Sequence, residues 1–409
     1  MTDRTISLRQ LMTVLFLALF PLGTEQLPGR LSAVGAAAWL CPILAGGIAV
    51  ALVALLGRSP VLGQGDLGQR IAQRWGQRTG RVLAGLFLLW GLYLTAAHAA
   101  RIGSRLSDSL RASPILITAV ALLLAGWMAS GGLPAFARAC EVFALAVGFG
   151  FFLIFLFGVF RLQWDEVLLW NWQELSQVPQ GVFTAGGTVA AGGYVLFLLG
   201  DVRPEEKSRG TVMRRLGGLF LLLGAGMLLV LGRLGADLAA QINRPFFQMV
   251  SGLGFEGAFQ RLEELASALW VLGDAALLGL LLLCLRRLAA QLLGRKESKK
   301  QGWGITGVVL LGSIPIAYWN QIIAGNLLPM GNLAALAISV LCMCLVRKQS
   351  KNLKKLKKGV DIPGREWYSI KAVARHGAKS RTEKRKKLLD RWLELCYNIT
   401  HPAEAVCTL

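Results

Sequence analysis

Apolar positions in this chain run on for about the 20 residues that a helix needs to cross hydrocarbon, and they do so repeatedly. Hydropathy places spans near 9–28, 31–57, 82–104, 113–130, 139–160, 181–200, 211–234, 265–285, 303–323 and 327–346. The pattern predicts an all-α integral membrane protein of ten helices. Spans one and six each contain a helix-breaking stretch about halfway, "LFPLGTEQLP" from Leu19 to Pro28 and "TAGGTVAAGGY" from Thr184 to Tyr194. The two stand five positions apart in the order of spans, so they run in opposite directions. Matched breaks of this kind point to a five-plus-five inverted repeat with a binding site near the midplane. The repeats would cover about 7–160 and 181–346. Glycine is also common in membrane helices because it allows close packing, and that alone accounts for Gly46-Gly47 or Gly217-Gly218 among the 48 glycines. It does not account for breaks that match in both halves.

Charge adds orientation. Lys and Arg crowd the connections after spans two, six and eight, as the positive-inside rule requires if both termini are cytoplasmic. Residues 347–409 form a basic tail carrying about half of the net charge of +21. A basic cluster beside a membrane rests on anionic lipid headgroups, and "SRTEKRKKLLDRWLELC" puts Leu388, Leu389, Trp392 and Leu393 on one side of a helix. No groove-reading motif argues for nucleic acid. The N-terminal run lacks a small-residue cleavage pattern and reads as a span. The seven cysteines have no metal spacing and read as small hydrophobes. Neither a metal nor a cofactor is expected.

Where the two helices break, backbone N–H and C=O groups are freed and attract opposite charge. A zwitterion such as an amino acid fits, its carboxylate at the amides near Gly23 and Thr24, its ammonium at the carbonyls near Phe20, Pro21 and Gly193. The candidate ligand-binding residues are therefore Pro21, Gly23, Thr24, Tyr93, Gly192, Gly193, Tyr194 and Asp274. Asp274 lies in the apolar run "SALWVLGDAALLGLLLL" of span eight, where a carboxylate costs about 2.5–3.5 kcal/mol even on mild insertion scales. It has three readings: contact with a ligand ammonium or a passing cation, a protonated group bonded across helices, or a partner for a basic group on a neighbour. Tyr93 offers a hydroxyl. Glu25 reads as an outer gate or as a helix end in water, His98 as a structural hydrogen-bonding residue. Trp170 and Trp172 read as an interfacial belt.

Several stretches together resemble the B-subunit permease family of bacterial spore germination receptors. They are "ISLRQLMTVLFLALFPLGTEQLP", "AAAWLCPILAGGIAVALVALLGR", "ASGGLPAFARACEVFALAVGF" and above all "FQRLEELASALWVLGDAALL", with Arg261, Glu263 and Trp270. The resemblance covers residues 6 to 346. It implies a LeuT-type fold like that of amino acid/polyamine/organocation transporters. It also implies a nutrient-sensing subunit of the spore inner membrane, working with A- and C-type subunits on a small-molecule germinant, often an amino acid. Two features depart from the family: Asp274 stands where an uncharged residue is usual, and the tail is long. The competing function is a proton- or cation-coupled amino-acid transporter. Against it, span five has no lysine and span eight no Ser/Thr pair. An enzyme using His98 and Asp274 as an acid/base pair lacks a nucleophile or metal site.

Overall fold

In the computed structural model, residues 5–56, 66–168, 171–203, 209–253, 262–319 and 327–344 are described. The basic tail, Arg261 and Trp170 lie outside them. The helices are α1 (Leu8–Leu31), α2 (Leu40–Leu56), α3 (Leu67–Trp75), α4 (Gln77–Leu110), α5 (Pro114–Ser130), α6 (Leu133–Val159), α7 (Asp165–Leu168), α8 (Trp172–Val189), α9 (Arg209–Leu234), α10 (Ala236–Gln241), α11 (Pro245–Ser251), α12 (Leu262–Leu293) and α13 (Lys299–Trp319). The last, α14, is Leu327–Cys344. Apart from the short α3, α7, α10 and α11, each falls on one of the spans expected from hydropathy. Among the described residues, seven helices are long and apolar enough to cross a membrane; α5 is apolar but shorter.

Local chemistry sets several of the ends. Ser7 and Gln10 form a reciprocal capping box at the start of α1. Asp66 caps α3 and Asn171 caps α8, each accepting from the amide three residues on. Pro114 opens α5, where its missing N–H costs nothing.

Packing reveals the duplication. The first helix touches the sixth (α1 with α8), the second the seventh (α2 with α9), the third the eighth (α4 with α12), and the fourth the ninth (α5 with α13). Corresponding helices of two inverted halves meet in this way when a pseudo-twofold axis runs between them. Two helices form the centre: the most apolar stretch of α1 is 83% buried and that of α12 is 78% buried, against 28% for α6. Around them, Leu89, Trp127, Leu145, Phe149 and Leu311 point outward, as lipid-facing side chains do.

The two expected breaks differ. In the sixth span, α8 ends at Val189 and the chain continues as a 3₁₀ helix from Ala190 to Phe197, long for that conformation. In the first span, however, α1 is continuous through Pro21 and Pro28, where the sequence predicts an interruption at Pro21–Thr24. Neighbouring hydroxyls and helices accommodate proline inside membrane helices. Pro21 leaves the Leu17 carbonyl without its intrahelical donor, and α12 packs closely there at Gly273; separately, Thr24 Oγ1 donates to the Pro21 carbonyl at 2.9 Å and Ser32 Oγ donates to that of Pro28. A parallel bridge joins Ile6, just before α1, to Val202 beyond the 3₁₀ run, through Ile6 N–H to Asp201 O at 2.8 Å and Arg203 N–H to Ile6 O at 3.1 Å.

α1 and α12 approach closely at Gly273, where an added Cβ would stand 2.5 Å from Pro21 Cβ and 3.1 Å from the Leu17 carbonyl oxygen. Gly273→Ala should therefore destabilise the pair by about 1–3 kcal/mol and lower the thermal midpoint in detergent. Gly218→Ala, where nothing lies within 4 Å of the new carbon, should not. An unchanged midpoint for Gly273→Ala would show that α1 and α12 do not meet there.

Candidate functional site

On α4, His98, Arg101 and Arg105 follow one another at intervals of three and four, the spacing that puts side chains on one helical face. That face meets α1 and α12. Arg105 Nη1 stands 2.9 Å from Glu25 Oε2 of α1, while Nη2 donates to Asp274 Oδ2 of α12. All three side chains are nearly dry, 5%, 12% and 9% exposed for Arg105, Glu25 and Asp274. The guanidinium also lies over the Trp270 ring, 5.5 Å from its centroid, in a cation–π arrangement. Trp270 Nε1 donates to Thr24 Oγ1 at 3.1 Å. Pro21, Thr24 and Asp274, three of the predicted site residues, are thus drawn together around Arg105.

Of the three readings of Asp274, the geometry has the pairing with a basic neighbour. One cation between two carboxylates leaves the triad short of positive charge. Arg101 supplies some, for Glu25, Arg105 and Asp274 are all within its electrostatic reach, and Arg30 of α1 is near Arg101 and His98. The His98 Nε2 atom is buried without a partner. Paired with Arg105 and largely buried, Glu25 does not end in water.

The other predicted residues lie in two further environments. Tyr194, in the 3₁₀ run, donates its hydroxyl to the Phe87 carbonyl of α4 at 2.8 Å, and Cys284 of α12 donates to the Tyr194 carbonyl. Tyr93 packs against Trp90, its hydroxyl buried without a partner. The Gly23 Cα faces Leu223 of α9, that of Gly192 faces Leu19 and Leu15, and that of Gly193 faces Leu336 of α14. At all three positions the space is already occupied or bordered by leucine.

Sequence reasoning missed a polar bridge at the α8-to-3₁₀ junction. Trp90 Nε1 donates to Asn332 Oδ1, and Asn332 Nδ2 donates to the Gly187 carbonyl, both at 3.1 Å. A helix changing its hydrogen-bond register frees carbonyls, and Asn332 satisfies one. Reasoning also missed Arg105 as a partner, although the stripe of His98, Arg101 and Arg105 in an apolar helix was a usable signal.

Thirteen residues beyond Asp274 on the same helix, Arg287 gathers a second charge cluster. It donates to Asp201 Oδ2 at 2.6 Å, Glu297 Oε1 at 3.0 Å and the Phe197 carbonyl at 3.2 Å, with Asp66 Oδ2 at 3.7 Å. Burial raises the Asp66 carboxyl above its ordinary pKa, against the pull of the Gln69 amide and Arg287. These groups border an open cavity of about 1070 Å³ that also reaches Arg138, Arg286 and Lys299.

The profile of the spore permease family, described as spore germination protein, matches residues 5–323. The chain belongs to that family. No curated protein matches it. Among solved structures, it is similar to MhsT in complex with L-phenylalanine, at 14% identity and a TM-score of 0.60, over 85% of this chain and 89% of that one. It is also similar to a substrate-bound, outward-open Na⁺-coupled sialic acid symporter, at 12% identity and a TM-score of 0.56, over 83% and 79%. These likenesses establish the LeuT-type fold of this spore permease family member. The family and its fold neighbours are permeases and transporters, not enzymes, and the chain is an integral membrane protein.

Removing one partner of a buried ion pair leaves the other charge uncompensated, at about 3–5 kcal/mol. Arg105→Met should therefore sharply lower the yield and thermal midpoint of purified protein. Combining it with Glu25→Gln and Asp274→Leu should recover most of the loss. A single variant as stable as wild type would mean the triad does not hold the three helices.

Proposed function

We propose that this chain is the permease-like subunit of a spore germination receptor. It binds a small zwitterionic germinant, an amino acid, between α1, α4 and α12, and couples binding to ion release. One observation carries the reading: a buried arginine holds two carboxylates from two different central helices. A zwitterion enters such a triad without adding net charge. Its ammonium takes over a carboxylate, Asp274 or Glu25, and its carboxylate takes over Arg105, so that one set of ion pairs replaces another at little desolvation cost. Pro21, Thr24 and Trp270 form the adjoining wall. Tyr93 and the Phe87 carbonyl that holds Tyr194 lie about 18 Å and about 27 Å along α4 from Arg105, so the two tyrosines shape the far part of the bundle and do not touch a ligand held by the triad. Gly23, beside Thr24, lets Leu223 of α9 close behind this wall, whereas Gly192 and Gly193 face leucines of α1 and α14 away from the triad. The exchange frees Asp274 from Arg105, and a carboxylate so freed offers a passing cation a station within the membrane.

Asp274→Asn keeps the shape and removes the charge, while Arg105 keeps Glu25. At matched protein abundance in spores, it should shift the nutrient dose for germination upward by about tenfold or more, the worth of one charge-assisted hydrogen bond. An unchanged dose response overturns the assignment of Asp274. Uptake of labelled amino acid into proteoliposomes by the isolated chain would instead favour coupled transport.

The same reading puts the protein in the spore inner membrane with both ends cytoplasmic, alongside A- and C-type subunits. A cysteine replacing Arg295, beside the Arg287 cluster, should then react with a membrane-impermeant thiol reagent only in inside-out vesicles. Labelling in right-side-out vesicles would reverse the topology.

A further inference from the structure

A second cavity, of about 280 Å³, lies between α1, α2, the 3₁₀ run, α9 and α14. Its wall is almost wholly hydrocarbon, with Leu15, Ala49, Leu196, Leu216 and Leu336 among the contributors. It opens sideways at Ile48, which is 55% exposed on a membrane-spanning helix. A zwitterion would find no polar partner there. What meets such an opening in a bilayer is lipid.

One end of the groove is charged. Val212 and Leu216 of α9 line it, and Arg209 precedes them by three and seven residues, on the same helical face one turn beyond the groove. The Arg209 Nε is buried without a hydrogen-bond partner. Leu8 also lines the groove, and the next residue, Arg9, accepts at its carbonyl from Arg215 Nη1 at 3.2 Å. Arg9 and Arg215 thus meet near the starts of α1 and α9, and Arg209 opens α9 on the groove's face. Among the described residues, none of them has a carboxylate within ion-pairing distance.

We propose that this groove is a binding site for one anionic phospholipid, with an acyl chain lying against Ala49 and Leu216 and the phosphate held by Arg9, Arg209 and Arg215. The apolar length and the basic end are arranged in the order of the parts of a phospholipid, tail inward and headgroup at the interface. Arginine suits the role because its planar fork pairs two donors with phosphate oxygens. The inference is independent of the germinant reading. Because Gly193 and Leu196 line the groove, the bound chain would lie against the 3₁₀ run.

The test uses full-length protein purified in detergent, titrated with phosphatidylglycerol or phosphatidylcholine of identical chains and read by native mass spectrometry. Wild type should retain one phosphatidylglycerol per chain, at least about tenfold tighter than phosphatidylcholine, because basic groups at a membrane surface favour anionic headgroups. Ala49→Trp, which fills the groove, should abolish both adducts. The Arg9→Gln/Arg215→Gln variant, altered only at exposed positions, should still bind lipid but lose the preference. Retention of the adduct in Ala49→Trp overturns the groove as the site. Equal binding of the two lipids by wild type overturns the assignment of the arginines.

Discussion

The contact between Arg105 and its two carboxylates constrains everything around it. A guanidinium cannot give up its charge and a membrane interior offers no water, so it must remain paired wherever α4 goes. Glu25 and Asp274 sit on the two most buried helices, and any relative movement of α1 and α12 has to pass through this point. Trp270 and Thr24 reinforce it: the ring lies under the cation, and the indole N–H is fixed to the hydroxyl that back-bonds at Pro21. The cluster is not fully satisfied, since Arg105 Nε is buried without a hydrogen-bond partner, and an incomplete buried polar cluster is costly.

Much of this architecture was legible in the sequence because the bilayer simplifies the code. Long apolar runs can only be helices there, so span positions followed from hydropathy, and the opposed irregular segments pointed to an inverted repeat. The fate of Pro21 did not follow. Proline removes one donor and frees the carbonyl four residues back, that of Leu17, but whether the helix breaks depends on tertiary packing, and here Gly273 of α12 lies close against Leu17 and Pro21. Asp274 was legible as an anomaly, its partner was not: Arg105 is 169 residues away, and sequence spacing says nothing about which helices will touch. Asn332 was hidden for the same reason, since an amide side chain in an apolar helix declares its importance only when the carbonyl it serves is known.

The two charge clusters on α12 divide the labour along its length. Near Asp274 the contacts join the C-terminal parts of α1 and α4; near Arg287 they join the end of the 3₁₀ run, the cap of α3 and the loop after α12. The second set lines an open cavity and is partly wet, with Glu297 32% exposed, so its ion pairs exchange with water at low cost. The first set has no such alternative. One rigid helix therefore carries a dry junction and a labile one, and a rearrangement of the protein would begin at the labile end.

The 3₁₀ run from Ala190 to Phe197 has a mechanical consequence. A 3₁₀ helix rises about 2.0 Å per residue against 1.5 Å for an α-helix, so these eight residues are about 4 Å longer than the same segment wound as α. Rewinding them would draw Asp201 inward and rotate it through nearly half a turn. Asp201 holds both Arg287 and, through its carbonyl, Ile6 at the foot of α1. The segment is thus a stretched spring in series with two tethers, and its winding state sets how far apart the first helix and the eighth stand at that end of the membrane.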